Sequence, residues 1–146
     1  MKAWLGVVSR AHVQRGLAGG FAQVCHGKAA PLRRMERGDW LVSYSPTEEM
    51  GGTPLRVFTA IGEVQDDEVF QFDMGGGFVP YRRRIRYVPA SEVALQVLQP
   101  RLELCASPSW GMALRRGHLP LSVKDFTLIA TAMSAGAHLP RLGRAA

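Results

Sequence analysis

Leu55–Val88, LRVFTAIGEVQDDEVFQFDMGGGFVPYRRRIRYV, decides the fold class. Three strand-like runs stand in it, Leu55–Val64, Val69–Asp73 and Val79–Val88, parted by an acidic turn and by the Gly75-Gly76-Gly77 loop. β-Branched and aromatic residues fill the runs while Gly, Pro and Asp punctuate them, the composition of short strands joined by tight loops. Gly62, inside the first run, marks a bulge or a close approach of another backbone.

The neighbouring segments read the same way. Ala3–Ser9 is a first strand, and Ser9 is placed to cap a short helix, Arg10–Leu17, that stops at Gly19-Gly20. Residues 21–38 lack a clean period and read as an ordered loop with a turn of helix. Gly38-Asp39 turns into a strand, Trp40–Tyr44, ended by Ser45-Pro46, and Met50–Pro54 is a loop tip. Val93–Leu98 reads as another strand. Ser122 followed by Asp125 opens a capped helix whose Phe126, Ile129, Ala130 and Met133 share one face, with Gly136 closing it. Five or six strands with short flanking helices and no βαβ rhythm predict a β-rich α+β fold, a small closed or half-closed barrel of mainly antiparallel strands.

The chain has 146 residues, 47% hydrophobic and 21% charged, the size of one domain. Residues 1–137 are expected to form it and 138–146 a short C-terminal tail. No apolar run approaches a membrane span, the N-terminus is too brief for a secretory signal, and Cys25 and Cys105 stand in no framework spacing. A cytoplasmic location with reduced thiols and no membrane partner is the expectation.

Fifteen Arg and three Lys give a net charge of +6. Arginine pairs bidentately with phosphate and stacks on bases, although GC-rich coding inflates Arg equally well. Position is more informative. In a strand over Val79–Val88, Arg82, Arg84 and Arg86 share one face at roughly the 7 Å spacing of successive phosphates. Tyr81, Arg83, Ile85 and Tyr87 share the other, where Arg83 needs a partner. Lys28, Arg33, Arg34 and Arg37 form a second basic cluster, and Glu63, Asp66, Asp67, Glu68 and Asp73 an acidic one, which predicts a polarised molecule. Phe21, Tyr44, Phe58, Tyr81 and Trp110 are candidate stacking platforms, although Phe58, Trp4 and Trp40 read more naturally as core. Cys25-His26 lacks an orienting carboxylate, the His and Cys residues lack metal-ligand spacing, and the Gly-rich loop lacks the Lys of a phosphate cradle. No metal, no cofactor and no catalytic group is therefore expected.

The ordered run WLGVVSRAHVQRGLAGGF, HGKAAPLRRM, GDWLVSYSP, FTAIGEV, FVPYRRRIRYV, SWGMALRRG and LSVKDFTLIA resembles the EVE family of PUA-like domains, in its bacterial uncharacterised branch, over about residues 3–135. The resemblance implies a PUA-like pseudo-barrel related to the YTH domain, with a pocket for a modified or flipped base. EVE domains are associated with modified cytosines in DNA, YTH domains with methylated adenine in RNA. By position it implies that Ser9 and Arg10 follow the first strand where such domains bond the base. Phe21 stands where many members carry Trp, and His26, Gly27 and Lys28 fall on a segment that others fill with Arg-Asn-Tyr. Tyr44, Ser45 and Pro46 match a strand-end motif lining the pocket, and Tyr81 stands where Trp often opens the fifth strand. The expected function is non-catalytic: Ser9, His26 and Ser45 read the edge of an extruded base sandwiched by Phe21, Tyr44 and Tyr81. Arg82, Arg84 and Arg86, with Lys28 and Arg33, hold phosphates of DNA or RNA. Two alternatives stay open, a small-ligand or protein-interaction module, and a nucleoside amidohydrolase-like enzyme that hydrolyses acylated nucleosides using Lys28, Thr59 and Glu63. Oligomeric state is not legible.

Overall fold

A computed structural model describes residues 1–139. Eight strands form one curled sheet: β1 Ala3–Val7, β2 Phe21–Ala22, β3 Trp40–Thr47, β4 Pro54–Val64, β5 Phe70–Gln71, β6 Tyr81–Tyr87, β7 Val93–Ala94 and β8 His118–Leu121. The order β2-β6-β4-β3-β1-β8 runs along the sheet, with β5 added to β6 and β7 to β4. Every pairing is antiparallel except β1 with β3. The helices are α1 Arg10–Gly19, α2 Ala29–Arg33, α3 Leu95–Leu98, α4 Trp110–Leu114 and α5 Val123–Ala132. The expected strand-rich α+β pseudo-barrel is the fold found. Among the described residues no helix is long and apolar enough to cross a membrane.

Both faces of the central strands are covered. Leu5, Trp40, Val42, Phe58 and Ile61 point to one side, where α5 brings Phe126, Ile129, Ala130 and Met133. Trp4, Leu41 and Val64 point to the other with Val24, Leu32, Met35 and Ile85. Successive residues of a strand therefore serve different cores, which is why β1 and the start of β3 are near-continuous apolar runs. Asp39 locks the N-terminal strand: its carboxylate accepts from the Lys2 and Glu36 amides, each at 2.9 Å, and from the Trp4 indole at 3.0 Å. Gly62 is a close approach, since a Cβ there would lie 2.5 Å from Ile85 Cγ2 and 2.9 Å from the Arg86 carbonyl.

Local corrections are informative. Ser45-Pro46 does not end β3, because the register slips between Ser45 and Thr47 and a proline fits where ladder bonds are interrupted. Residues 93–98 form only a two-residue strand before turning into α3, whose Leu95 and Leu98 enter the core. The first helix runs on to Gly19 and closes on left-handed Gly20, and Ser9 makes no side-chain cap bond. Ser122 does cap α5, accepting from the Asp125 amide at 3.1 Å, but that helix ends at Ala132, before Gly136. His138 closes a short 3₁₀ turn, and the rest of the expected tail, residues 140–146, lies outside the described residues.

Candidate nucleic-acid interface

Where α1 crosses β2, Val8, His12, Val13, Gly16, Phe21, Gln23, Ser43 and Tyr87 are among the residues around a small cavity. Its volume is about 10 Å³, room for roughly one water. Tyr87 organises it: the phenol donates to the Phe21 carbonyl at 2.9 Å, pinning β2 to β6, and burial pushes its pKa up. Burial also lowers the pKa of His12, helped by the positive charges of Arg15 and Arg82, so a neutral imidazole faces this space.

Beside the cavity, β2 and β6 build a three-layer stack. Antiparallel pairing of Phe21 with Arg84 and Ala22 with Arg83 carries on to bring Gln23 beside Arg82. The Arg82 guanidinium carbon lies 3.7 Å from the Phe21 ring centroid and 4.2 Å from that of Phe72, and its Nε donates to Gln23 Oε1 at 3.1 Å. Arg82 is 6% exposed, and burial lowers its pKa. Phe72 opens a hairpin whose Met74, Phe78 and Val79 are exposed.

The three-arginine phosphate stripe expected on β6 is therefore not formed. Arg82 is turned into an aromatic slot, Arg84 stays exposed with its guanidinium 4.5 Å from the Phe70 ring, and exposed Arg86 pairs with Glu63 at 3.1 Å. Strand alternation put the three on one face correctly but was blind to β2, β5 and Phe72 covering the first of them. Arg83 finds the partner that its position required: Asp66 Oδ1 at 2.7 Å and the carbonyls of Leu32, Met35 and Asp66. Three of the five residues in the acidic cluster, Asp66, Asp67 and Glu63, each bind an arginine.

Free positive charge gathers instead on the segment after β2. Lys28, Arg33 and Arg34 are exposed and have no carboxylate partner among the described residues. The segment is tightly shaped: Cys25, His26 and Gly27 all take positive φ, and a Cβ on Gly27 would meet Pro80 at 2.4 Å. The Cys25 thiol donates to the Arg116 carbonyl at 3.3 Å, and burial raises its pKa against the pull of Lys28 and Arg34. Arg116 is itself exposed, so the α4–β8 turn continues the basic surface.

Of the other expected site residues, Ser9 is half-buried and follows Val8 of the cavity wall without being part of it, and His26 is exposed next to the basic segment. Arg10 is held by Glu48 at 3.1 Å and Glu92 at 2.7 Å. Tyr81 is half-buried with the Arg33 guanidinium 5.7 Å from its ring centroid. Tyr44 and Ser45 do not reach a pocket. Tyr44 is 3% exposed, packed on Phe58, and Ser45, fully buried, shares a 2.9 Å hydrogen bond with Thr59. The gap beside Tyr44 has no room for a water, and Pro46, half-buried, is not part of the cavity wall. Because β3 continues to Thr47 instead of stopping at Tyr44, its YSP segment lies inside the sheet. Thr59 also bonds the Ser43 carbonyl, Glu63 pairs with Arg86, and no hydrogen bond or ion pair among the described residues joins either to Lys28.

His12, Gln23, Ser43, Phe72 and Tyr87 were not among the site residues expected from the sequence, and Tyr87 was placed only on the inward face of its strand. Gln23 and Ser43 carried a usable signal, a polar residue inside an apolar run that must face some polar or open space.

A family model, EVE domain, matches residues 2–132. The UPF0310 protein YdcG of Bacillus subtilis is 46% identical over 132 residues, 89% of this chain and 90% of that protein. The UPF0310 protein msl3206 of Mesorhizobium japonicum is 47% identical over 136 residues, covering 90% and 91%. Among solved structures, the YTH domain of the Zygosaccharomyces rouxii MRB1 protein, determined in complex with N6-methyladenosine RNA, superposes with a TM-score of 0.61 at 12% identity. It covers 90% of this chain and 86% of that one. A hypothetical protein from Leishmania major gives 0.61 at 14% identity over 94% and 97%. With these motifs running in order through nearly all of its described length, the chain belongs to the EVE domain family.

Proposed function

We propose that this protein binds nucleic acid without chemical turnover, holding one extruded, modified base where α1, β2 and β6 meet. The observation that carries the reading is the pairing of that aromatic and polar recess with adjacent unneutralised cations. His12, Gln23 and Ser43 supply hydrogen-bonding groups, Phe21 and Phe72 supply ring faces, and Lys28, Arg33 and Arg34 lie along the neighbouring segment. A base held this way gains stacking and edge contacts, while phosphates beside it meet the cations. The YTH neighbour's bound N6-methyladenosine RNA makes a methylated base the first ligand to try, and a modified cytosine in DNA the second.

The recess as it stands is too small for a base, so binding requires the aromatic stack to open. An oligonucleotide panel in DNA and RNA, each with one modified base and measured at two salt concentrations, tests the reading. A preference for one modified base that survives the higher salt supports it. Binding that depends on salt alone and ignores the modification rules it out.

A further inference from the structure

Arg82 is an odd arginine to find buried. Guanidinium groups out of water are normally paired with carboxylates, and its neighbour Arg83 obeys this with Asp66 and three carbonyls. Arg82 has no carboxylate partner among the described residues, and a single hydrogen bond from Nε, to Gln23, is the only one it makes there. What holds it is a ring on each face, at 3.7 and 4.2 Å. Those separations leave room between Phe21 and Phe72 for one planar conjugated group, the thickness of a guanidinium and equally of a nucleobase.

The two walls differ. Phe21 is buried and its carbonyl is pinned by Tyr87. Phe72 is 49% exposed, on a hairpin whose three tip glycines, Gly75 to Gly77, have open space around them. The slot adjoins the cavity, because Phe21 and Gln23 belong to both. A slot with two π faces, an amide oxygen at its edge and no fixed counter-charge stabilises a flat cation through the ring quadrupoles.

We infer that the Phe21–Phe72 slot is a site for a planar cation, filled in the free protein by the Arg82 side chain and taken over by a positively charged, ring-alkylated base. This rests on the base-binding reading above and names its ligand class. Alkylation at a ring nitrogen that bears no proton in the neutral base, such as N1 of adenine or N3 of cytosine, leaves the base flat and cationic, so it makes the interactions that the guanidinium makes and adds a larger stacking area. On displacement Arg82 moves toward solvent, where a phosphate of the same nucleotide is its natural partner. A competitor built into the chain lowers apparent affinity by the fraction of molecules in which the slot is open.

Two pairs of nucleosides test this, since each pair differs only in where the methyl sits and hence in charge. They are 1-methyladenosine against N6-methyladenosine, and 3-methylcytidine against N4-methylcytidine, titrated into wild type and Arg82→Met. The charged isomers should bind wild type about fivefold or more tightly than the neutral ones. Arg82→Met, which keeps the length and loses the planar cation, should bind the charged isomers about tenfold more tightly than wild type does. In wild type, the Arg82 Nε proton should resonate upfield through the two ring currents and return to its ordinary position as ligand saturates; its absence from Arg82→Lys assigns it.

Equal affinity within both pairs overturns the ligand class. A ligand that binds without moving that resonance, or a folded Arg82→Met that binds no more tightly than wild type, overturns the displacement. If the oligonucleotide panel shows a modified-base preference while neither protein binds any nucleoside, this inference fails and the base-binding reading stands. If neither protein binds anything, both fall.

Discussion

Replacing Arg83 by Met should be among the most damaging single changes in the chain. Its guanidinium is 2% exposed and donates to Asp66 Oδ1, the Asp66 carbonyl and the Leu32 carbonyl, each at 2.7 Å, and to the Met35 carbonyl. Methionine fills much of the same volume but leaves one carboxylate and three carbonyls without their donor. Removing one partner of a buried pair costs about 3–5 kcal/mol, because the other is left uncompensated. In a domain of this size each kcal/mol lowers the melting temperature by about 2–4 °C, so a drop of about 10 °C is expected. Urea unfolding followed by far-UV circular dichroism measures the loss as a shifted midpoint at unchanged slope. Arg83→Lys should fall between the two, since one ammonium reaches fewer of the acceptors. The loss should also reach binding, because Leu32 and Met35 anchor the segment that displays Lys28, Arg33 and Arg34. A stability loss below about 1 kcal/mol would refute the reasoning, showing that water replaces the guanidinium without penalty.

Other outcomes follow from the same geometry. His118 is 2% exposed, stacked on Trp4 with ring centroids 5.0 Å apart, and neither ring nitrogen has a partner among the described residues; burial, helped by Arg34, pulls its pKa down to about 4. The unfolded chain therefore takes up this proton below about pH 6.5 and the folded chain only near 4, so stability falls as pH drops through that window, by about 3 kcal/mol. His118→Phe should match or exceed wild type at pH 7 and lack this part of the acid loss, read as the difference between the two stability curves. Tyr44→Phe should leave nucleic-acid affinity unchanged, and Tyr44→Ala should cost about 3–5 kcal/mol of stability as a core truncation; selective loss of modified-base preference in Tyr44→Phe would return that residue to the pocket. Lys28→Ala, Arg33→Ala and Arg34→Ala combined should weaken modified and plain oligonucleotides alike and reduce the salt slope by about 2 to 3, from roughly 0.7–0.9 per lost phosphate contact.

The fold was legible where one element's own pattern suffices. Alternation through Leu55–Val64 and Val79–Val88, the capped helix after Ser122 and the close approach at Gly62 are all local signals. The site was less so, because it is made by pairings between elements. Tyr44 looked like a strand-end aromatic until β3 proved to continue through Pro46 into the sheet. Arg82 looked like surface because alternation along its own strand cannot show that β2 pairs beside it or that the ring of Phe72 is laid over it. Arg83 was legible in kind, as a charge on an inward face that needed a partner, but the partners came from Asp66 and from the carbonyls of Leu32, in α2, and Met35, just beyond it, about fifty residues away in sequence. The basic cluster over residues 28–34 was visible as composition, and its freedom from carboxylates appeared only once the ion pairs were known.

A backbone amide titration with the tightest oligonucleotide of the panel tests the location of the site directly. Shifts should centre on His12, Phe21, Gln23, Ser43 and Tyr87, extend over Lys28, Arg33 and Arg34, and spare Ser45 and Thr59. Shifts centred on Tyr44, Trp110 and Leu95, with the α1–β2–β6 junction unmoved, would contradict the account.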